Sequence, residues 1–516
     1  MDLSLVKNYA DVIDLGAAAL GDRDMVVLGD DRVSWNEMRR RAGQVANALV
    51  ADGVGSQDRV AFIDKNSVEF FEVAFGAAYV NGVTVAVNWR LAAPEMAYII
   101  NDSQAKVLIL HEEFAEQLAA FEADLTHVTR IVVIGSHGSH VTYDTWRDAH
   151  DGSFQPVGST DDDVAAQLYT SGTTGLPKGA QLTNGNFQAL FATVDWDMDE
   201  DSRNLCIMPL FHIAGSGWAL FGMANGAVTV MMREFDPVAG LQIVESEGCT
   251  HAIFVPAILQ FFLMVPSDGI DLSSMQYVAY GASPITEDVL VKSMAQFGCS
   301  FFQVYGMTET TGAGTTLPPE DHGEGADPGL LRSAGRPIRG MEMKIVDPET
   351  GEPVPDGEVG EVWMRHGGIM KGYWNMPEET AKAMPGDGWL RSGDIAYMVD
   401  GYLYIHDRVK DMIISGAENI YPAEIENVLM AHPGVADVAV IGVPDEDWGE
   451  AVKALVCRSD QSLSEAALIE YCRQRIAHYK CPSSIDWMQQ LPRNPSGKIL
   501  KTELRQPYWQ GRARKV

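Results

Sequence analysis

Short apolar segments alternate with amphipathic ones along the first 150 residues, and this alternation restricts the fold more than any other feature. Residues 59–64 (Arg-Val-Ala-Phe-Ile-Asp) predict a strand, residues 67–81 a helix capped by Ser67, and residues 83–88 a second strand. A helix from Pro94 and a strand at 106–110 follow. Strands separated by helices imply parallel sheets covered on both faces. The pattern resumes with strands at 250–255, 275–280 and 300–304. Residues 318–329 (Pro-Pro-Glu-Asp-His-Gly-Glu-Gly-Ala-Asp-Pro-Gly) are a loop by every breaker signal. Short β segments with turn residues come next, at 347–351 and 354–357, and predict a small distorted β-barrel or sheet over about 330–405. Beyond Arg408 the order becomes helix 424–431, strands 435–443 and 451–457, and helix 464–476. The expected class is therefore α/β. A large domain of parallel-rich sheets with a β-barrel-like part covers residues 1–408, and a small α+β domain covers 409–516.

Charge narrows the partners. The chain has 71 Asp+Glu against 38 Lys+Arg, a formal net charge of −33. A nucleic-acid binder needs a basic face, and anionic lipid attracts basic segments, so both partners are excluded. Residues 409–516 hold 13 Lys+Arg and 14 Asp+Glu, which leaves −32 on residues 1–408. The six cysteines (Cys206, Cys249, Cys299, Cys457, Cys472 and Cys481) form no CxxC pair and no metal spacing, as expected of scattered core thiols in a reducing compartment. The N-terminal residues carry early acids and no long apolar run, so no signal peptide is expected. Residues 205–232 lack Asp, Glu, Lys and Arg but contain Pro209, His212, Asn225 and four glycines. A bilayer span of about 20 residues needs a steadier apolar helix. This stretch reads as strand, loop, buried helix, strand. The expectation is a cytoplasmic protein without integral membrane association; a homodimer is left open.

The segment richest in chemistry is Tyr169-Thr-Ser-Gly-Thr-Thr-Gly-Leu-Pro-Lys-Gly179. Ser171, Thr173 and Thr174 offer hydroxyls, Gly172 and Gly175 let backbone amides curl around an anion, and Lys178 supplies a point charge. Together these describe a phosphate cradle. It is not a Walker A loop, because GxxxxGK[ST] cannot be written anywhere in the chain. Four further segments stand out: Val304-Tyr-Gly-Met-Thr-Glu-Thr310, Arg391-Ser-Gly-Asp394, residues 407–422 (Asp-Arg-Val-Lys-Asp-Met-Ile-Ile-Ser-Gly-Ala-Glu-Asn-Ile-Tyr-Pro) and Pro492-Arg-Asn-Pro-Ser-Gly-Lys498.

These five motifs, in this order, resemble those of the adenylate-forming superfamily, in its acyl-CoA synthetase or fatty-acid–CoA ligase branch. The resemblance implies ATP, Mg²⁺ and coenzyme A as co-substrates and metal. It places ATP at Thr170, Ser171, Gly172, Thr173, Thr174, Lys178, Gly281, Ala282, Tyr305, Thr308, Asp394, Arg408 and Lys498. Residue chemistry agrees. Asp394 has two acceptor oxygens for paired ribose hydroxyls, and Tyr305 can stack on adenine while Gly281 and Ala282 let backbone approach the base edge. Thr308 can bond a phosphate, and Glu309 is a hard oxygen ligand for Mg²⁺. Lys498 would bridge the acid's carboxylate and the α-phosphate, so Lys498, Thr308, Glu309 and His212 are the catalytic candidates. The resemblance also implies a mobile C-terminal domain that turns about Lys410 and brings the loop with Ser415, Gly416 and Ala417 toward coenzyme A.

The uncharged stretch around His212 offers no acid to pair a substrate ammonium, which disfavours an amino acid. With Val516 as the last residue no fused carrier domain is expected, nor, without a terminal Ser-Lys-Leu, a peroxisomal address. The acyl pocket is expected at His212, Trp218, Val255, Tyr280, Gly306, Met307 and Gly312, with the glycines leaving space. It suits a medium- or long-chain fatty acid or a sterol side-chain acid. The alternatives are an aromatic acid, a separate carrier protein as acceptor, or a non-catalytic nucleotide-binding protein on the same scaffold.

Overall fold

A computed structural model describes residues 2–136, 138–170, 177–193, 196–283, 285–323, 325–408, 411–415, 418–445, 449–476, 478–493 and 499–510. Two large sheets dominate. The nine-stranded sheet runs, edge to edge, Arg336–Pro337, Thr315–Leu317, Ser300–Tyr305, Tyr277–Gly281, His251–Phe254, Arg203–Cys206, Val228–Met231, Asp24–Leu28 and Asp31–Ser34. Its six central strands are parallel, and antiparallel strands close both edges. The eight-stranded sheet is likewise parallel from Val164–Thr170 through Val83–Ala86, Arg59–Ile63, Val107–His111 and Arg130–Ile134 to Val141–Thr142. Its other edge is antiparallel, formed by Lys178–Thr183 and Gly372–Tyr373.

Three apolar cores separate the layers. The central one joins helices Tyr9–Leu20, Trp35–Ala51, Val68–Tyr79 and Ile213–Ala224 to the inner faces of both sheets. An outer core packs Pro237–Glu247, Pro256–Met264 and Glu287–Phe297 on the nine-stranded sheet. Another packs Ala93–Asp102 and Ala115–Phe121 on the eight-stranded sheet. Parallel strands buried on both faces need this cover, since each strand exposes apolar side chains in both directions.

The uncharged stretch is resolved into strand Arg203–Cys206, loop, buried helix Ile213–Ala224 and strand Val228–Met231. Among the described residues no helix is long and apolar enough to cross a membrane. The expected β region is an antiparallel four-stranded sheet, Glu342–Val346, Gly360–Arg365, Leu390–Val399 and Tyr402–Arg408. Two short segments of that region instead extend the large sheets: Arg336–Pro337 the nine-stranded one and Gly372–Tyr373 the eight-stranded one. The C-terminal unit is a five-stranded sheet with helices Pro422–Met430 and Glu465–Arg473 over its own core. Ser67 occupies the N-cap of its helix as expected, but its side chain makes no capping hydrogen bond. Of the six free cysteines only Cys299 is not buried.

Candidate active site

The Ser/Thr/Gly segment is held by a hairpin. Strand Val164–Thr170 pairs antiparallel with Lys178–Thr183, which sets Thr170 opposite Lys178 and Tyr169 opposite Gly179. Ser171, Gly172, Thr173 and Thr174 lie outside the described residues, as do Lys410, Gly416, Ala417 and Lys498. Glycine at 179 lets a side chain lie close: a Cβ there would stand 2.7 Å from Gln167 Nε2.

Three charged side chains of the motifs are nearly withdrawn from solvent: Lys178 at 8%, Glu309 at 5% and Asp394 at 7% exposure. Each is paired, as buried charge requires. Glu309 sits on the 3₁₀ turn Thr308–Thr310 that follows strand Ser300–Tyr305. Its Oε1 accepts from the Tyr373 hydroxyl at 2.8 Å and from Thr170 Oγ1 at 3.5 Å. Lys178 Nζ lies 5.1 Å from the Tyr373 ring centroid and forms an ion pair with Glu379. Thr170, Lys178 and Glu309 are thus brought together from separate motifs. Four residues before Glu309, the Tyr305 hydroxyl donates to Asp394 Oδ2 at 2.7 Å and so links the expected adenine and ribose residues. Asp394 is held from below: its amide donates to Ser392 Oγ at 3.0 Å, and buried Glu361 fixes Arg391 at 2.7 Å and accepts from the Gly393 amide at 3.2 Å. Strand pairing sets Asp394 opposite Arg408.

Tyr373 and Glu379 were not legible in the sequence. Burial, then the neighbouring Glu309 carboxylate, push the Tyr373 phenol up, so it remains a donor. The Lys178 ammonium holds the Glu379 carboxyl well below the usual range, at about 2. Glu379 therefore stays an anion and occupies the Lys178 ammonium, which the sequence reading assigns to phosphate. Glu379→Gln should lower the KM for ATP severalfold with little change in kcat; steady-state pyrophosphate exchange checks this. A raised KM would mean that Glu379 aims Lys178 instead of competing for it.

The expected acyl pocket divides. His212 caps helix Ile213–Ala224, half-buried, with its ring 4.4 Å from that of Phe211. Trp218 and Met307 pack in the central core. Tyr280 and Val255 do not join them, because they belong to the outer core across the nine-stranded sheet. Tyr280 is fully buried there and its hydroxyl lies 2.8 Å from His322 Nε2. Gly306 leaves no room for substrate either: a Cβ would come within 2.3 Å of the Gly312 carbonyl oxygen, so its bareness serves a backbone contact. Gly312 has φ +100°, and a Cβ there would lie 3.2 Å from Ile213 Cγ1. Gly281 is explained in the same way, with Val304 O only 2.0 Å from its absent Cβ. Ala282 is left-handed at φ +65°, a conformation that costs a non-glycine residue of order 1–2 kcal/mol. Ser415, in strand Ile413–Ser415, pairs with Glu418 and Gly449.

Comparison with known proteins finds matches over most of the chain. A family model described as AMP-binding enzyme matches residues 14–374, and one described as AMP-binding enzyme C-terminal domain matches residues 424–498. A fatty acid–[acyl-carrier-protein] ligase of Streptomyces coeruleorubidus is 39% identical over 94% of this chain and 93% of its own. A long-chain-fatty-acid–CoA ligase of Mycobacterium tuberculosis is 38% identical over 93% and 94%. Among solved structures, an anthranilate CoA ligase in complex with anthranoyl-AMP superposes with a TM-score of 0.89 at 27% identity, covering 98% of this chain and 99% of that one.

Proposed function

The chain belongs to the AMP-binding enzyme family and is an AMP-forming acid–thiol ligase of the acyl- and aryl-CoA or acyl-carrier-protein ligase group; from that premise we propose that it activates a hydrophobic carboxylic acid with ATP and passes the acyl group to coenzyme A. The observation that supports this most is the contact chain Thr170–Glu309–Tyr373–Lys178, drawn from distant segments and set four residues from the Tyr305–Asp394 pair.

In the first half-reaction the substrate carboxylate attacks the α-phosphorus of ATP and pyrophosphate leaves. No general base is needed, because the carboxylate is already ionised at pH 7. Both reactants are anionic, so the barrier is largely electrostatic. Lys178 and the amides of residues 171–175 hold the departing phosphates. Asp394, with Tyr305, fixes the nucleoside. Lys498 bridges carboxylate and α-phosphate and aligns them. Buried Glu309, a hard oxygen donor with one oxygen already hydrogen-bonded, fits a site that holds Mg²⁺ through one carboxylate plus phosphates. Mg²⁺ bound there would neutralise phosphate charge. In the second half-reaction the small domain, comprising residues 409–516, turns about Lys410. Lys498 is withdrawn, and the loop carrying Ser415, Gly416 and Ala417 is presented to the pantetheine arm.

An aromatic acid is the second reading, favoured by helix Ile213–Ala224, which starts after His212 and carries Trp218 into a ring cluster with Trp196 and Phe302. ATP–pyrophosphate exchange over fatty, aromatic and sterol acids tests the proposal, followed by thioester assays with coenzyme A and with a carrier protein. Exchange with none of the acids would overturn the adenylation reading. Exchange without a coenzyme A thioester would move the acceptor to the carrier protein.

A further inference from the structure

Asp394 stands in an irregularity of the four-stranded sheet. Strand Leu390–Val399 pairs antiparallel with Gly360–Arg365, with Ile395 opposite Glu361 and Arg391 opposite Trp363. Val362 of one strand therefore faces Ser392, Gly393 and Asp394 of the other. Extra residues of this kind bend a strand, re-aim its side chains and leave ladder groups without a backbone partner. Gly393 completes the bend at φ +72°, in the left-handed region that favours glycine.

Glu361 fills the gap in the ladder. Its side chain is buried, at 2% exposure, and both carboxylate oxygens are engaged. Oε2 accepts from Trp363 Nε1 at 3.1 Å and from two nitrogens of Arg391 at 3.0 and 2.7 Å. Oε1 accepts at 3.2 Å from the Gly393 amide, one residue before Asp394. Ser392 adds a second tie, because its Oγ donates to Val362 O at 2.8 Å and accepts from the Asp394 amide at 3.0 Å. Arg391 and Gly393 lie on either side of Ser392, so the Glu361 carboxylate fixes the bulge itself. On its other edge the strand keeps Asp394 in register with Arg408.

We propose that Glu361 is the positioning residue for Asp394. It holds the bulge at the angle from which Asp394 receives the two ribose hydroxyls of ATP, and so sets how strongly the protein distinguishes nucleotides by their sugar. Glu361 acts through Asp394 and not on the nucleotide, and the inference rests on the ribose role given to Asp394 above. Glu361→Gln isolates this role. The amide keeps the shape, but it has one accepting oxygen where Arg391 and Gly393 engage two, and its NH₂ faces another donor.

The test is calorimetric titration of the full chain, in Mg²⁺, with ATP and with 2′,3′-dideoxy-ATP, which lacks both hydroxyls. Wild type should bind ATP roughly tenfold or more tightly than the dideoxy nucleotide. Glu361→Gln should weaken ATP binding about tenfold and leave dideoxy-ATP within about twofold. Asp394→Ala should erase the same discrimination, and adding Glu361→Gln to it should change nothing more, as for two residues that act as one unit. If Glu361→Gln does not fold, Gly393→Ala takes its place. A Cβ there meets nothing within 4 Å, so the substitution strains only the bend, and it should lower the discrimination as well. Equal weakening of both nucleotides by Glu361→Gln, or additive losses in the double variant, would make Glu361 a support of the sheet and overturn the proposal. Discrimination lost in Asp394→Ala but kept in Glu361→Gln overturns the proposal alone and leaves the ribose role standing. A wild type that binds both nucleotides equally overturns the ribose role of Asp394, and the positioning role with it.

Discussion

Lys498→Ala is expected to lower acid-dependent pyrophosphate exchange by about 10²–10³-fold while leaving thioester formation from supplied acyl-adenylate within a few-fold of wild type. The asymmetry follows from charge. Adenylate formation brings a carboxylate against a polyphosphate, on a chain whose residues 1–408 carry a net −32. Beyond about 10 Å at 0.1 M salt that field is screened, so attraction has to be supplied locally. A lysine bridging both reactants lowers the repulsion at the point of attack. Thioester formation expels AMP from an adenylate already made and has no such pair of anions to join. The measurement is exchange in one assay and coenzyme A consumption from synthetic acyl-adenylate in the other. Equal loss in both would mean that Lys498 maintains the small domain instead of bridging the reactants. Lys498→Arg sharpens the comparison: it keeps the charge but replaces a compact ammonium with a planar fork, and should recover only part of the exchange.

Much of the architecture was legible because parallel strands buried on both faces read as short apolar runs. The segments at 59–64, 83–88 and 106–110 appear as Arg59–Ile63, Val83–Ala86 and Val107–His111, adjacent in one sheet. The same property hides which face a side chain takes. In Tyr277–Gly281 the residues alternate between cores, with Ala279 in the central one and Val278 and Tyr280 in the outer one. Both faces are apolar, so sequence alone could not tell that Tyr280 points away from Trp218. Long-range edge pairing was equally hidden. Gly372–Tyr373 is too short to show any period, yet its pairing with Lys178–Thr183 carries Tyr373 to Glu309 and positions the chain leading to Glu379. The glycines of the expected pocket show a related limit. Bareness reads the same whether a ligand or a carbonyl fills the space, and at Gly306 and Gly281 it is a carbonyl.

Glu309→Gln is the second large effect, because it removes charge while keeping shape. The amide oxygen can still accept from the Tyr373 hydroxyl, which at present donates to Oε1 at 2.8 Å. The turn itself is held through backbone, with the Met370 amide donating to Glu309 O at 2.9 Å. Local structure should therefore survive. If Glu309 is the magnesium-side carboxylate, exchange should fall about 10²–10³-fold, and the Mg²⁺ concentration for half-maximal rate should rise at least tenfold. Tyr373→Phe gives the complementary result. It leaves the carboxylate charged but removes its closest donor, which costs about 1–3 kcal/mol for a buried group, so it should lower thermal stability more than it shifts the Mg²⁺ dependence. Magnesium titrations and melting curves on both variants separate the roles. A Glu309→Gln protein that melts early but exchanges pyrophosphate at wild-type Mg²⁺ would make Glu309 a structural acceptor for Tyr373 and Thr170. The metal-side role would then pass to another oxygen donor of the site.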